Sequence, residues 1–147
     1  MDFETAVKLN IYETVTETTC VPTSAEVAAA LSRSDGEVET AFRQLAQKRL
    51  LVLEPGDDSR IRMAPPFSGV ETQHLVKIGG KSYYANCAWD AFGVAAALHQ
   101  DADIASQCPD CGESLGYQIR DNQPLAQESA VHFAVPAAKW WEDIIYT

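Results

Sequence analysis

The sequence is poor in basic residues and contains no long hydrophobic run. It has 11 lysine and arginine residues against 21 aspartate and glutamate residues, a formal net charge of −10. Such a surface repels phosphate backbones, which argues against a nucleic-acid partner. No apolar segment approaches the roughly 20 residues that span a bilayer, and residues 1–4 lack the apolar core of a signal peptide. We therefore expect a cytoplasmic protein with no membrane partner.

Cysteine is also scarce, with four residues in 147. In a reducing compartment these thiols do not imply a disulfide framework, and metal binding or redox chemistry is the better expectation. Internal repeats and low-complexity tracts are absent from the sequence.

Residues 1–64 carry the pattern of three helices followed by a hairpin. Apolar residues recur at helical spacing in three stretches, residues 3–18, 24–31 and 37–49. Strand-like residues then flank a turn at Pro55-Gly56. Three helices and a two-stranded ribbon are the order of a winged helix. The one basic cluster, on the third helix, is diluted by glutamates, so the pattern favours a scaffold or interaction domain over DNA binding.

Residues 65–147 predict a second domain that opens with a linker or crossing segment at residues 65–69. A hairpin surrounds Gly79-Gly80 and a helix follows Cys87. Further strand patterns and a short aromatic stretch come after it, at residues 102–107, 115–120, 130–135 and 137–143. We predict an α+β fold, in which a winged-helix-like domain (residues 1–64) precedes a small mixed or antiparallel sheet domain with a central helix (residues 65–147).

The most informative motif is Cys87-Ala-Trp-Asp90, which follows a strand-like run and opens the helix. A thiol and a carboxylate three residues apart at a helix start face the same way. The helix N-terminus is expected to lower the thiol pKa, and the thiolate is the form that attacks or binds soft metals. The carboxyl can hold or deliver a proton beside it. The same pattern also fits a buried cysteine whose neighbour Asp90 complements the helix dipole.

A second thiol pair, Cys108-Pro-Asp-Cys111, has the spacing of a metal-binding knuckle. A closed zinc site usually needs four protein ligands, and no second pair exists, which argues against zinc at Cys108 and Cys111. Cys87 is a candidate third ligand, with a histidine or water as the fourth. A soft-metal site formed by Cys87, Cys108 and Cys111 is the interpretation that we favour over a redox dithiol or a turn without metal.

Residues 84–90, Tyr-Ala-Asn-Cys-Ala-Trp-Asp, resemble the active-site motif of organomercurial (alkylmercury) lyases. In that family a tyrosine and an alanine precede a Cys-Ala-x-Asp turn by the same spacing. Residues 103–108 resemble the family strand that carries another cysteine, generally read as structural, and residues 130–136 resemble a later strand. The resemblance extends over most of the chain and includes the winged-helix-like first half.

The resemblance implies protonolysis of carbon–mercury bonds to a hydrocarbon and Hg(II), as in mercury resistance. If the active-site roles of that family apply to this sequence, Cys87 would bind mercury as the thiolate. Asp90 would receive the thiol proton and give it to the departing carbon. No cofactor is then required, because an organomercurial or other organometallic substrate brings the metal.

Family members use a second active-site cysteine, which the resemblance places about where this sequence ends at Thr147. A naturally short homologue, a trimmed chain and a recoded stop codon are all compatible with this. We expect Cys111 to be the substitute thiol, activity to be weakened if it is not, and dimerisation if uncovered sheet edges pair. The alternatives left open are a non-catalytic binder or sensor of mercury or another soft metal, and a winged-helix regulator.

Overall fold

The computed structural model describes residues 1–125 and 128–146. Ala126, Gln127 and Thr147, which belong to the second predicted domain, lie outside the described residues. Among the described residues, no helix has the length and apolar character needed to cross a membrane.

Three helices begin the chain as predicted, and side-chain caps fix where each one starts. They are α1 (Phe3–Thr18), α2 (Ser24–Leu31) and α3 (Asp35–Gln47). Asp2 caps α1 by accepting from the Thr5 amide. Thr23 and Ser34 form capping boxes with Glu26 and Glu37 at the starts of α2 and α3, which satisfies backbone N–H groups that have no partner inside the helix.

A three-stranded antiparallel sheet follows the helices, with strands β1 (Val52–Glu54), β2 (Asp57–Ala64) and β3 (Phe67–Ser68) in sequence order. The predicted hairpin is therefore confirmed as β1 and β2. Residues 65–69, predicted as a linker or a crossing segment, include strand β3, in which Phe67 and Ser68 pair with Ala64 and Met63 of β2. One hydrophobic cluster, which includes Phe42 of α3 and Ile61 of β2, joins these helices to this sheet.

The second sheet has five antiparallel strands in the order β5-β4-β6-β7-β8. The strands are β4 (Leu75–Ile78), β5 (Lys81–Tyr84), β6 (Ala102–Gln107), β7 (Ser114–Arg120) and β8 (Gln123–Pro124). Helix α4 (Ala88–Leu98) lies between β5 and β6 in sequence and buries Ala91, Val94 and Ala95 in the same cluster as Val76 and Ile104 of the sheet. The predicted α+β class with a central helix is confirmed, and the sheet is wholly antiparallel.

The prediction of a strand at residues 130–135 is wrong. These residues pair with no strand among the described residues and are largely exposed. In this segment the Phe133 ring packs against aromatic neighbours, with its centroid 6.2 Å from that of Trp89 and 4.9 Å from that of Trp140. The aromatic stretch that follows forms a short 3₁₀ helix, Ala137–Glu142.

Helix α1 also contacts the second sheet, which brings the two halves of the chain together beside β5. The carbonyl oxygen of Thr16 accepts hydrogen bonds from the Tyr83 hydroxyl at 3.0 Å and from Lys81 Nζ at 2.8 Å. Val15 of α1 is buried in the cluster of the second sheet. The division at residue 64 stays a prediction, and the contacts place α1 against the part of the fold that holds Cys87.

Candidate active site

The two cysteine motifs follow strands that end at the same edge of the second sheet. Strands β5 and β6 both run antiparallel to β4, which lies between them. They therefore run in the same direction, and their carboxyl ends meet at one edge. Cys87 comes three residues after β5, and Cys108 comes directly after β6. The topology thus brings two thiols that are distant in sequence to one side of the molecule.

Cys87 is the N-cap residue of α4, with extended backbone angles (φ −151°, ψ 179°). Its sulfur accepts a hydrogen bond from the amide of Asp90 at 3.4 Å, in the position where serine or threonine oxygens usually cap a helix. The side chain is half-buried. The predicted pairing of Cys87 with Asp90 in one turn is present in the structure.

The expected lowering of the Cys87 pKa is wrong. Burial raises the pKa of the Cys87 thiol, and the nearby Asp90 carboxyl raises it further by its charge and by accepting from the thiol. The amides of Asp90 and Trp89 act in the opposite direction, as a helix N-terminus should. Desolvation and a like charge outweigh the helix end, so the resting side chain is the protonated thiol.

Asp90 also lies in an environment that makes its carboxylate easier to protonate than that of a free aspartate. Burial raises the pKa of the Asp90 carboxyl, and hydrogen bonds from Asn86 and Cys87 partly oppose this. The Asn86 Nδ2 group donates to Asp90 Oδ2 at 3.0 Å. A carboxyl with a raised pKa beside a thiol can accept the thiol proton and later release it, as general acid–base catalysis requires.

Two features around Asp90 were not recognised in the sequence. Asn86 also donates through Nδ2 to the carbonyl oxygens of Pro66 and Phe67, each at 3.3 Å. The Tyr12 hydroxyl of α1 donates to the carbonyl oxygen of Pro65 at 2.9 Å, and burial together with the Asp90 charge raises the Tyr12 pKa. Pro65 and Pro66, in the segment predicted as a linker or a crossing segment, thus lie beside the Asp90 turn through these contacts.

An aromatic surface lies next to the turn formed by residues 87–90. The Trp89 side chain, between Cys87 and Asp90 in sequence, is 57% exposed. It contacts Phe133 edge-on, and Phe133 in turn packs on Trp140. Trp140 is fixed by a hydrogen bond from its indole nitrogen to the Val135 carbonyl at 2.8 Å. Apolar side chains therefore face solvent within one helical turn of the thiol.

The Cys108–Cys111 turn is confirmed as a tight turn. The Gly112 amide donates to the Cys108 carbonyl at 2.9 Å, with Gly112 at a positive φ of 74°. Hydrogen bonds from the amides of Cys111 and Asp110 lower the pKa of the Cys108 thiol. Cys108 is half-buried and Cys111 is exposed. The turn therefore presents a stabilised sulfur and a second thiol beside it.

The three cysteines are not assembled into one ligand set in the described part of the chain. There, no group of three or more histidine, cysteine, aspartate or glutamate side chains is arranged to hold a metal ion. The histidines are His74, which shares a 2.8 Å hydrogen bond with Ser106, and His99 and His132, which are exposed. The roles of Cys87, Cys108 and Cys111 as soft-metal ligands stay predictions.

Comparison with known proteins gives a family match and a similar solved structure. The family model described as MerB, alkylmercury lyase, matches residues 67–147. No curated protein gave a match. Among solved structures, the crystal structure of the mercury-bound form of MerB2 is similar, with a TM-score of 0.66 and 23% sequence identity. The similarity covers 86% of this chain and 60% of that chain, so this chain spans about 60% of the length of that protein and shares its fold.

Proposed function

The chain belongs to the alkylmercury lyase family, and on that premise we propose that it cleaves carbon–mercury bonds by protonolysis, releasing a hydrocarbon and Hg(II). The observation that carries the proposal is the contact between Cys87 and Asp90. Their hydrogen bonds join a soft-metal ligand to a proton carrier within one helical turn.

The first step is the capture of the organomercurial by sulfur. Mercury is soft, so a thiolate is its preferred ligand. As the Cys87 sulfur bonds to mercury and displaces the substrate's original ligand, the thiol proton passes to the Asp90 carboxylate that already accepts from it. Because the resting thiol is protonated, this local transfer lets Cys87 bind mercury at neutral pH without first losing its proton to solvent.

The second step is protonation of the carbon. The neutral Asp90 carboxyl gives its proton to the carbon bonded to mercury, and the electron pair of the carbon–mercury bond becomes the new carbon–hydrogen bond. Hg(II) stays on the Cys87 sulfur, and Asp90 returns to the carboxylate. Mercury is divalent before and after, so the balance requires no added electrons, and the substrate itself supplies the metal.

The remaining step is the release of Hg(II) from Cys87. We propose that Cys108 and Cys111, at the same edge of the sheet, are soft-metal ligands that assist this release or bind the product. The amides directed at Cys108 favour its thiolate, which is the form that binds mercury. External low-molecular-weight thiols are the alternative acceptor. Zinc is not proposed at this pair, because a closed zinc site usually has four protein ligands.

The test is benzene release from a phenylmercury salt in the presence of excess thiol, measured by gas chromatography. We expect turnover by the wild-type chain, its loss in Cys87→Ser and Asp90→Asn, and unchanged turnover in Cys20→Ser, which replaces an exposed thiol of the first segment. Stoichiometric retention of mercury without benzene would overturn the enzyme proposal and indicate a thiol-based binder or sensor.

A further inference from the structure

The contacts of Asn86 assign it a function beyond that of a strand-end residue. We propose that Asn86 is a positioning residue, which ties the Asp90 carboxyl to the backbone of residues 66–67 and leaves one carboxyl oxygen for Cys87 and the substrate carbon. This inference rests on the proposed function, because positioning matters only if Asp90 delivers a proton.

The orientation of the Asn86 amide is fixed by its partners. Nδ2 lies 3.3 Å from the carbonyl oxygens of Pro66 and Phe67, and both groups can only accept hydrogen bonds. A reversed amide would place its own oxygen against them. The same NH₂ group reaches Asp90 Oδ2 at 3.0 Å. The donor at Oδ2 therefore restricts the orientation of the Asp90 carboxyl.

The backbone that anchors Asn86 is itself held from several sides. Phe67 is 2% exposed, its strand β3 pairs with β2, and it forms a bridge with Ala85 next to Asn86. Gly93 lies one turn beyond Asp90, and the position that a side-chain Cβ would take there is 3.1 Å from Pro66 Cβ. The missing side chain at Gly93 lets the proline segment pack directly on α4.

Asn86 is not explained as an ordinary satisfied core residue. Its Oδ1 atom is buried and has no hydrogen-bond partner among residues 1–125 and 128–146. Burying an acceptor without a partner costs stability, so a residue kept only for packing would be better served by an apolar side chain of similar shape. The Nδ2 group, which donates to Asp90 and to two carbonyl groups, is the part of this side chain that the proposed positioning role requires.

Holding one oxygen of Asp90 restricts where the other oxygen can lie. The carboxyl also accepts from the Cys87 thiol, and the carbon to be protonated would be bonded to mercury on that sulfur. Correct placement of reacting groups within a fraction of an ångström accounts for large rate factors. Loss of the Asn86 donor should therefore slow proton delivery while leaving capture of mercury by Cys87 intact.

The decisive experiment compares Asn86→Leu, which keeps the shape and removes the donor, with Asn86→Gln, which keeps an amide donor. For phenylmercury in excess thiol, we expect kcat of Asn86→Leu to fall on the order of 10-fold to 100-fold, with KM little changed, and partial recovery in Asn86→Gln. The matched control is Asn10→Leu, because Asn10 also has a buried Oδ1 without a partner, on α1. A wild-type kcat in folded Asn86→Leu would overturn the inference.

A second measurement does not depend on turnover. In ¹H–¹⁵N spectra of the unliganded protein, we expect the Asn86 side-chain amide signals to move in Asp90→Ala, while those of Asn10 stay in place. Unmoved Asn86 signals would refute the contact even if the enzyme is active. Absence of benzene from the wild type, with moved signals, would instead reject the proposed function and leave the Asn86–Asp90 contact standing.

Discussion

The amide of Asp90 donates to the Cys87 sulfur at 3.4 Å, while the Asp90 carboxyl accepts from the same thiol. One residue thus stabilises the thiolate through its backbone and opposes it through its side-chain charge. Because burial adds to the second effect, the pKa of the Cys87 thiol is raised and the thiol stays protonated at neutral pH. In the mechanism that we propose, the binding of mercury by Cys87 is coupled to the transfer of this one proton to Asp90.

Asp90→Asn is expected to make Cys87 more reactive while it abolishes catalysis. Burial remains in this variant, but removal of the Asp90 charge lowers the thiol pKa, so iodoacetamide should alkylate Cys87 faster at neutral pH. Benzene release should fall on the order of 10²–10⁴-fold, the usual contribution of a general acid. Mass spectrometry of the modified peptide gives the alkylation rate, and Cys20 provides an internal reference thiol. A slower Cys87 reaction would contradict this account.

The same substitution should stabilise the fold at neutral pH. Burial raises the pKa of Asp90 above its unfolded value of 3.8, so the unfolded chain ionises first as pH rises. Ionisation of Asp90 therefore lowers the free energy of unfolding. This loss of stability is absent below pH 3.8, grows as the pH rises to the folded pKa of Asp90, and is fully present above that pKa. Asp90→Asn removes this cost. The gain in Tm over wild type, measured by circular dichroism, should therefore be clear at pH 7 and shrink as the pH approaches 4. A gain in Tm that does not change with pH would contradict the inference that the buried Asp90 charge destabilises the fold.

Cys111→Ser is expected to weaken the retention of Hg(II). If Cys108 and Cys111 form a second soft-metal site, mercury bound after dialysis against glutathione should fall by about one equivalent per chain, since a single thiolate competes poorly with excess thiol. Atomic absorption measures the bound metal, and Cys20→Ser is the control for general loss of a thiol. Unchanged mercury content in Cys111→Ser would remove this pair from the proposal.

Gly69→Ala should destabilise the crossing that leads from the first sheet toward the site. A Cβ at Gly69 would clash with the Ile61 carbonyl oxygen. The Gly69 amide donates a hydrogen bond to the Arg62 carbonyl oxygen, which holds the backbone in this position. Overpacking of this kind costs about 1–3 kcal/mol. Gly36→Ala in α3 is the matched control, because no described residue outside the adjoining helix backbone has an atom within 4 Å of the Cβ position. This variant should gain up to about 1 kcal/mol of stability. Urea unfolding of both variants tests the contrast.

Local signals made much of the fold readable in advance. The bounds of α1 and β6 agree with the apolar spacing of residues 3–18 and 102–107, because caps, turns and side-chain periodicity act over a few residues. The prediction of a strand at residues 130–135 was wrong because it also rested on a local pattern alone. An alternation of apolar and polar residues shows that the two faces of a strand would differ in polarity. Whether the strand forms also depends on a neighbouring strand, which the pattern does not specify. Here Phe133 contacts Trp89 and Trp140 instead.

The sequence by itself indicated the chemistry that we propose, since it places Cys87 and Asp90 three residues apart at the start of a helix. The tertiary structure decided how these groups are tuned. It buried the pair enough to raise both pKa values, although the helix end alone would lower that of the thiol. It also brought Asn86, residues 65–67 and Tyr12 around the carboxyl. Desolvation and long-range contacts depend on how distant segments pack, and local spacing does not specify that.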